Sequence, residues 1–327
     1  MKKSTEKSLL LELPNDAMRQ YIDAVATYSA LEEARMDASK VRGGMYWHKG
    51  RRQAPEQEYL VRTNTAGGEK SLGSRSPEIE QVYTSFMQRK MDAQERLAGL
   101  KNAVEKHRRL NRALRVGRVT TVVVELLNRL AEYQLGEHFR VVGTHALYAY
   151  EAAAGVRFDD GALATRDIDL LWDVRRRVAF ATALRRIDSS MLGVLRKVDP
   201  TFRVRDSQKY TAVNKDGFEV DIIRREQIED DPHPVRLSNC EDDFWVAQAP
   251  RAKALLEAAP FSAVIIATNG EMARMNTLEP WAFAQVKRWM SNLEDRDPLK
   301  KRRDALQAQV VEHVVREYLP QWDRSLK

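Results

Sequence analysis

Two short apolar stretches carry carboxylates where a buried strand ordinarily carries none, and they constrain this chain more than any other feature. They are Arg166-Asp167-Ile168-Asp169-Leu170-Leu171-Trp172 and Phe218-Glu219-Val220-Asp221-Ile222-Ile223. Both read as strands from their apolar content and length. Side chains two apart on a strand emerge on one face, so Asp167 and Asp169 converge on one small volume. Asp221 stands among apolar residues on a predicted neighbouring strand, where an unpaired buried charge is costly. Like charges held so close need cations between them.

Magnesium, with manganese as the alternative, meets that need. It prefers hard oxygen ligands, commonly one or two carboxylates together with substrate phosphates, and a metal pair clamps the attacking and leaving oxygens of an in-line displacement. Upstream, Val141-Val142-Gly143-Thr144 ends a predicted strand and opens a helix. That places free backbone N–H groups, a glycine for close approach and a hydroxyl at a helix start, the makings of a triphosphate cradle.

Taken in order, a glycine-hydroxyl turn, paired strand aspartates and a single strand aspartate resemble the polymerase-beta-like nucleotidyltransferase superfamily. The resemblance implies a small mixed sheet with helices on one side. It also implies that Gly143 and Thr144 bind phosphates and that Asp167, Asp169 and Asp221 bind two magnesium ions. Two departures stand out: Thr144 where Ser or Gly is more usual, and an inserted GVRFDDGALAT before Asp167. The wider chain is similar to a bacterial family of uncharacterised nucleotidyltransferases through GGMYW, EYL, SLGSRSPE, KRW and RDPLKKRRD. In related abortive-infection and toxin-type enzymes a C-terminal lysine and an Arg-Asp pair help to form the site. Arg296-Asp297 looks similar, with Arg303-Asp304 competing.

The chain has 327 residues and a formal net charge of +7. It therefore has room for a catalytic domain plus an accessory region, and its charge favours a polyanionic partner. Cys240 is the lone cysteine and the histidines lack ligand spacing, which argues against disulfides and structural zinc. No long apolar run or secretory leader is visible, so the expected location is cytoplasmic.

The expected fold class is mixed α+β, in three regions. Residues 1–118 read as an N-terminal helical arm with a Gly/aromatic loop or hairpin, 119–248 as the catalytic core, and 249–327 as a C-terminal α/β and helical region. Helices are predicted over Asp16–Ser39, from Ser76-Pro77-Glu78 through Leu114, over Val119–Leu135, and at Pro280–Ser291 and Leu299–Tyr318. Asn214-Lys215-Asp216-Gly217 and Asn269-Gly270 signal hairpins.

Around the centre several roles stay open. Lys287 is the favoured cation for neutralising the leaving pyrophosphate. Arg166, Arg205 and Lys209 serve equally as scaffold ion pairs or phosphate contacts. His145 reads as a packing residue, which leaves Asp221 as the candidate base. Arg108, Arg112 and Arg115 form either a solvated face or a polyanion stripe. Tyr46, Trp47 and Tyr59, among Lys49, Arg51, Arg52 and Arg62, either stack a base or pack under a loop. The expected activity is magnesium-dependent transfer of an NMP from an NTP to an acceptor hydroxyl, with RNA such as a tRNA end favoured. NMP transfer to a protein, as in toxin-type enzymes, or a non-catalytic nucleic-acid-binding module are the alternatives.

Overall fold

Leu10–Glu12 forms a short strand, β1, and the apolar residues that recur behind Asn15 fold as one long helix, α1 (Asn15–Lys40). The computed structural model describes residues 10–49, 57–64, 67–163, 165–228, 235–238, 240–241 and 243–324. Its contacts divide the chain into two units, Arg19–Leu110 and Met1–Met18 with Asn111–Lys327.

In the smaller unit the segment after α1 makes β2 (Gly44–Lys49), β3 (Glu58–Thr63) and β4 (Glu69–Ser74), an antiparallel sheet in the order β2-β3-β4. A single hairpin or loop was the expectation. The third strand gives β3 a partner on both edges, and β3 supplies the buried Leu60 and Val61; a lone two-stranded hairpin is marginal in water. Helix α2 (Pro77–Ala113) begins as predicted, with Pro77 in its first turn and Ser76 Oγ accepting from Ile79 N at 3.4 Å. It runs antiparallel to α1. Gln20 and Thr27 both meet the His107 ring, at 3.0 and 3.2 Å, whereas Glu33 and Asp37 meet Arg96 further along, at 3.4 and 3.1 Å.

The aromatics of this unit are partly committed to packing. Trp47 lies 5.8 Å from Tyr83 with the Arg75 guanidinium 5.1 Å above its ring, and Arg62 sits over Phe86. Arg51 and Arg52 fall outside the described residues. Arg108 and Arg109 both close on Glu105, at 2.7 and 3.3 Å, so part of the basic stretch is neutralised within its own helix.

The larger unit is built on a mixed sheet. After α3 (Thr121–Glu132) come β5 (Phe139–Val142), α4 (Leu147–Ala154), β6 (Val156–Phe158), α5 (Asp160–Leu163) and β7 (Asp167–Trp172). Next are α6 (Arg177–Arg186), α7 (Met191–Arg196), β8 (Arg203–Arg205), β9 (Gln208–Val213), β10 (Glu219–Arg224) and β11 (Ala247–Gln248). The sheet order is β5-β7-β10-β9-β8, with β11 extending the β9 edge of β10. β7 and β10 are parallel to each other; β5, β9 and β8 run antiparallel to their neighbours. The predicted hairpin between β9 and β10 is present, with Asn214 Oδ1 accepting from Asp216 N and Phe218 N and Gly217 at φ +76°.

One face of this sheet makes the core. Ile168, Leu170, Trp172, Val220 and Ile222 are fully enclosed there. Helix α8 (Ala252–Glu257) is followed by a hairpin, β12 (Pro260–Ile266) and β13 (Met272–Leu278), and by helices α9 (Pro280–Ser291) and α10 (Pro298–Tyr318). Helix α3 buries Val123, Val124, Leu126, Leu127 and Leu130, and Asn128 Nδ2 donates to Met272 O at 2.9 Å. Tyr150 on α4 donates to Leu278 O at 2.8 Å, tying that helix to the same hairpin. The inserted stretch before Asp167 supplies β6, which pairs antiparallel with β1, and α5, whose Asp160 binds Arg118 together with Glu151. None of the described helices is long and apolar enough to cross a membrane.

Gly117, in the connection before α3, passes β12 at close quarters, because a Cβ on it would overlap the backbone carbonyl of Ile266. Val119 N donates to that same carbonyl at 3.2 Å, so the strand cannot simply move aside. Gly117→Ala should cost about 1–3 kcal/mol, as overpacking does in rigid surroundings. Chemical denaturation would check it; an unchanged midpoint would mean the close approach is relaxed in solution.

Candidate metal and phosphate site

The register of β7 against β10 determines the site. Asp167 pairs with Glu219 and Asp169 with Asp221, so the carboxylates emerge from neighbouring strands on one sheet face, opposite the enclosed core. Oxygens of Asp167, Asp169 and Asp221 all lie within 4.8 Å of one another. Glu219 completes a grid of four acids, but Arg205 binds it and takes up its charge. The Glu219-Val220-Asp221 spacing repeats that of Asp167-Ile168-Asp169, a signal for the fourth acid that was present in the sequence and unused.

Two of the three aspartates have a hydroxyl partner. Thr165 donates to Asp167, and Thr211, directly opposite Asp221 on β9, donates to Asp221 Oδ1 at 2.5 Å. Thr165 is a near neighbour of Asp167 in sequence, whereas Thr211 carries no sequence signal and is brought to Asp221 only by the pairing of β9 with β10. Lys209, on the same strand, is paired loosely with Asp206 at 3.7 Å.

Electrostatics follow from this crowding. Burial, with the charges of Asp167 and Asp221 beside it, pushes the Asp169 carboxyl up to about 7, against a weaker opposing pull from Lys287 and Arg303. Asp221 is also raised, chiefly by burial and in part by Asp167, while its hydrogen bond from Thr211 works the other way. Three hard oxygen donors that resist joint ionisation are a set a divalent cation fits: it would relieve the mutual repulsion that helps to raise Asp169 and Asp221.

Gly143 follows β5 at φ +69°, and a Cβ there would run into the Asp169 carboxylate. Only glycine allows the turn to pass so close to the acids. Thr144 opens a short 3-10 turn that leads into α4, so the turn and the carboxylates adjoin. His145 is buried. Its Nδ1–H donates to Asp167 O at 2.9 Å, its ring packs edge-on to Phe218, and desolvation holds its pKa down to about 4. It is therefore a neutral packing residue that orients the start of β7.

The C-terminal helices bring cations toward the acids. Lys287 on α9 is buried and donates to Asp304 Oδ1 at 2.9 Å. Asp304 is wholly enclosed and also binds Arg296 at 2.8 Å. Desolvation lowers the Lys287 pKa, with Asp304 and Asp169 opposing that shift. Asp297 takes a different part: its side chain caps α10, accepting from Leu299 N and Lys300 N at 3.0 Å. Gln307, one turn beyond Arg303, donates to Thr144 Oγ1 and to Ala162 O, a contact sequence reasoning did not anticipate. Arg166 is exposed immediately before β7.

A raised carboxyl stabilises the fold only while protonated: the contribution is full below the ordinary value of 3.8 and is lost as pH rises through about 7. At pH 8 without divalent metal, Asp169→Asn should therefore stabilise the protein, by about 2–4 kcal/mol. Calorimetry in EDTA would show a higher Tm for the variant, and added magnesium should then stabilise the wild type more than the variant. Equal Tm values in EDTA would mean that the acids do not repel one another as their spacing requires.

Comparison with curated proteins and with solved structures returns no match. A family profile described as nucleotidyltransferase matches residues 121–325, from the start of α3 to beyond the end of α10. That span contains the glycine turn, the three aspartates and the buried cation cluster, so a nucleoside triphosphate is the substrate the family implies. With its acidic triad and most of its length inside the match, the chain belongs to the nucleotidyltransferase family.

Proposed function

We propose that this enzyme transfers an NMP from an NTP to a hydroxyl of an acceptor RNA, using a magnesium site on Asp167, Asp169 and Asp221. The observation that carries the reading is the meeting of these carboxylates within 4.8 Å of one another beside the Gly143-Thr144 turn. Backbone N–H groups of the turn and the Thr144 hydroxyl hold the phosphates, and Gly143 admits them next to Asp169. Magnesium, when bound, supplies charge neutralisation for the triphosphate and lowers the pKa of the acceptor hydroxyl. Asp221 takes the proton from that hydroxyl as its oxygen attacks the α phosphorus. The bond from the α phosphorus to its bridging oxygen breaks, and pyrophosphate leaves. Lys287, hydrogen-bonded to Asp304 and within electrostatic reach of Asp169, balances the charge that accumulates on the leaving group.

What supports RNA as acceptor is the chain's net charge of +7 and pI near 9.4, suited to a polyanion. The alternative acceptor, a protein hydroxyl, is separable by experiment. The protein is incubated with each α-labelled NTP and magnesium, together with either total cellular RNA or total protein. Label should pass to RNA, and Asp167→Ala or Asp169→Ala should reduce it by about a hundredfold or more. Transfer that is indifferent to both substitutions would remove the catalytic assignment; label on protein alone would replace the acceptor and leave the chemistry.

A further inference from the structure

Gln307 is a fully enclosed amide in the middle of a helix, with no sequence pattern to announce it. Its Nε2 lies 2.7 Å from Ala162 O and 3.1 Å from Thr144 Oγ1. A backbone carbonyl only accepts, so the atom facing Ala162 has to be the amide nitrogen, and that fixes which way the side chain is turned. The second N–H of the same nitrogen then goes to the Thr144 hydroxyl. A hydroxyl that already accepts keeps its own proton to give.

The remaining atom argues for more than a strut. Gln307 Oε1 is buried and has no hydrogen-bond partner among the described residues. An unsatisfied buried acceptor is a cost that an apolar residue at this position would avoid. A group retained at such a cost, and turned toward a hydroxyl at the edge of the acid cluster, fits a task in the site better than a task in the core.

We infer that Gln307 is a positioning residue that holds Thr144 Oγ1 as a hydrogen-bond donor to the phosphate oxygens of the nucleotide. Those oxygens are anionic and accept only, so a threonine with its proton directed at them binds, while one that offers lone pairs repels. The inference deepens the proposed reaction and rests on Gly143-Thr144 being its phosphate turn. Ala162 O serves as the second anchor, so the inserted stretch before Asp167 contributes to the setting of that turn through α5.

The test is a double-mutant cycle read by titration calorimetry, with magnesium tripolyphosphate as a base-independent probe and each of the four NTPs beside it. Gln307→Leu and Thr144→Val should each weaken tripolyphosphate binding about tenfold, as loss of one hydrogen bond to a charged group does. The double variant should bind no more weakly than either single one, and Thr144→Ser should keep wild-type affinity. A strut would behave otherwise: Gln307→Leu would lower Tm equally with Val or Thr at 144, and its binding loss would add to that of Thr144→Val. Additive losses, or unchanged affinity in Gln307→Leu, overturn the inference while a sensitive Thr144→Val leaves the phosphate turn intact. No binding of tripolyphosphate or any NTP by the wild type overturns both together. Gln307→Met, which keeps the side chain's length, carries the same cycle if Gln307→Leu fails to fold.

Discussion

The parallel pairing of β7 with β10 is the contact on which the site depends. It sets Asp169 beside Asp221 and Asp167 beside Glu219, and everything else near them reads as a response to that concentration of negative charge. Arg205 neutralises Glu219, Thr165 and Thr211 donate to two of the aspartates, and Asp169 is left with its carboxyl pushed up to about 7. A one-residue slip of either strand would turn its acids into the core and its isoleucines and leucines out, so the apolar face locks the acidic face in place. The enclosed Ile168, Leu170, Val220 and Ile222 are thus as necessary to the site as the acids themselves.

Opposing charge is supplied by helices distant in sequence. Asp304 is buried between Lys287 and Arg296, an arrangement with a desolvation cost that packing alone would not select. Its charge opposes the desolvation that lowers the Lys287 pKa, and Asp169 acts on the same ammonium in the same sense. The same helix carries Gln307 to Thr144, so one element, α10, touches both Lys287 and the hydroxyl of the Gly143-Thr144 turn. Sites of this kind trade stability for a held-ready charge pattern, which is why an asparagine in place of Asp169 is expected to strengthen the metal-free fold.

Local chemistry was readable where one residue's own preferences decide the outcome. Ser76-Pro77 starts a helix because proline suits a first helical turn, and Asn214 to Gly217 turns the chain because glycine accepts a positive φ and Asn214 satisfies two backbone N–H groups. The insertion GVRFDDGALAT illustrates the opposite case. Its β6 exists because Leu10–Glu12 pairs with it across more than a hundred residues, and no local pattern encodes that partner. The third strand of the β2-β3-β4 sheet escaped for a similar reason: Glu69–Ser74 is polar and glycine-containing, and becomes a strand by completing the edge of β3.

By itself the sequence determined the acids and their spacing, the glycine at the turn and the positions of most helices, because strand alternation, helix period and turn preferences are short-range. Only the tertiary structure decided that β7 and β10 are neighbours in the register that joins Asp167, Asp169 and Asp221. It alone decided, too, that Asp304 claims Lys287 and that Gln307 reaches Thr144. Those choices are made by packing between segments far apart in the chain, where the free energy of burial, and not the preference of any one residue, selects the partner.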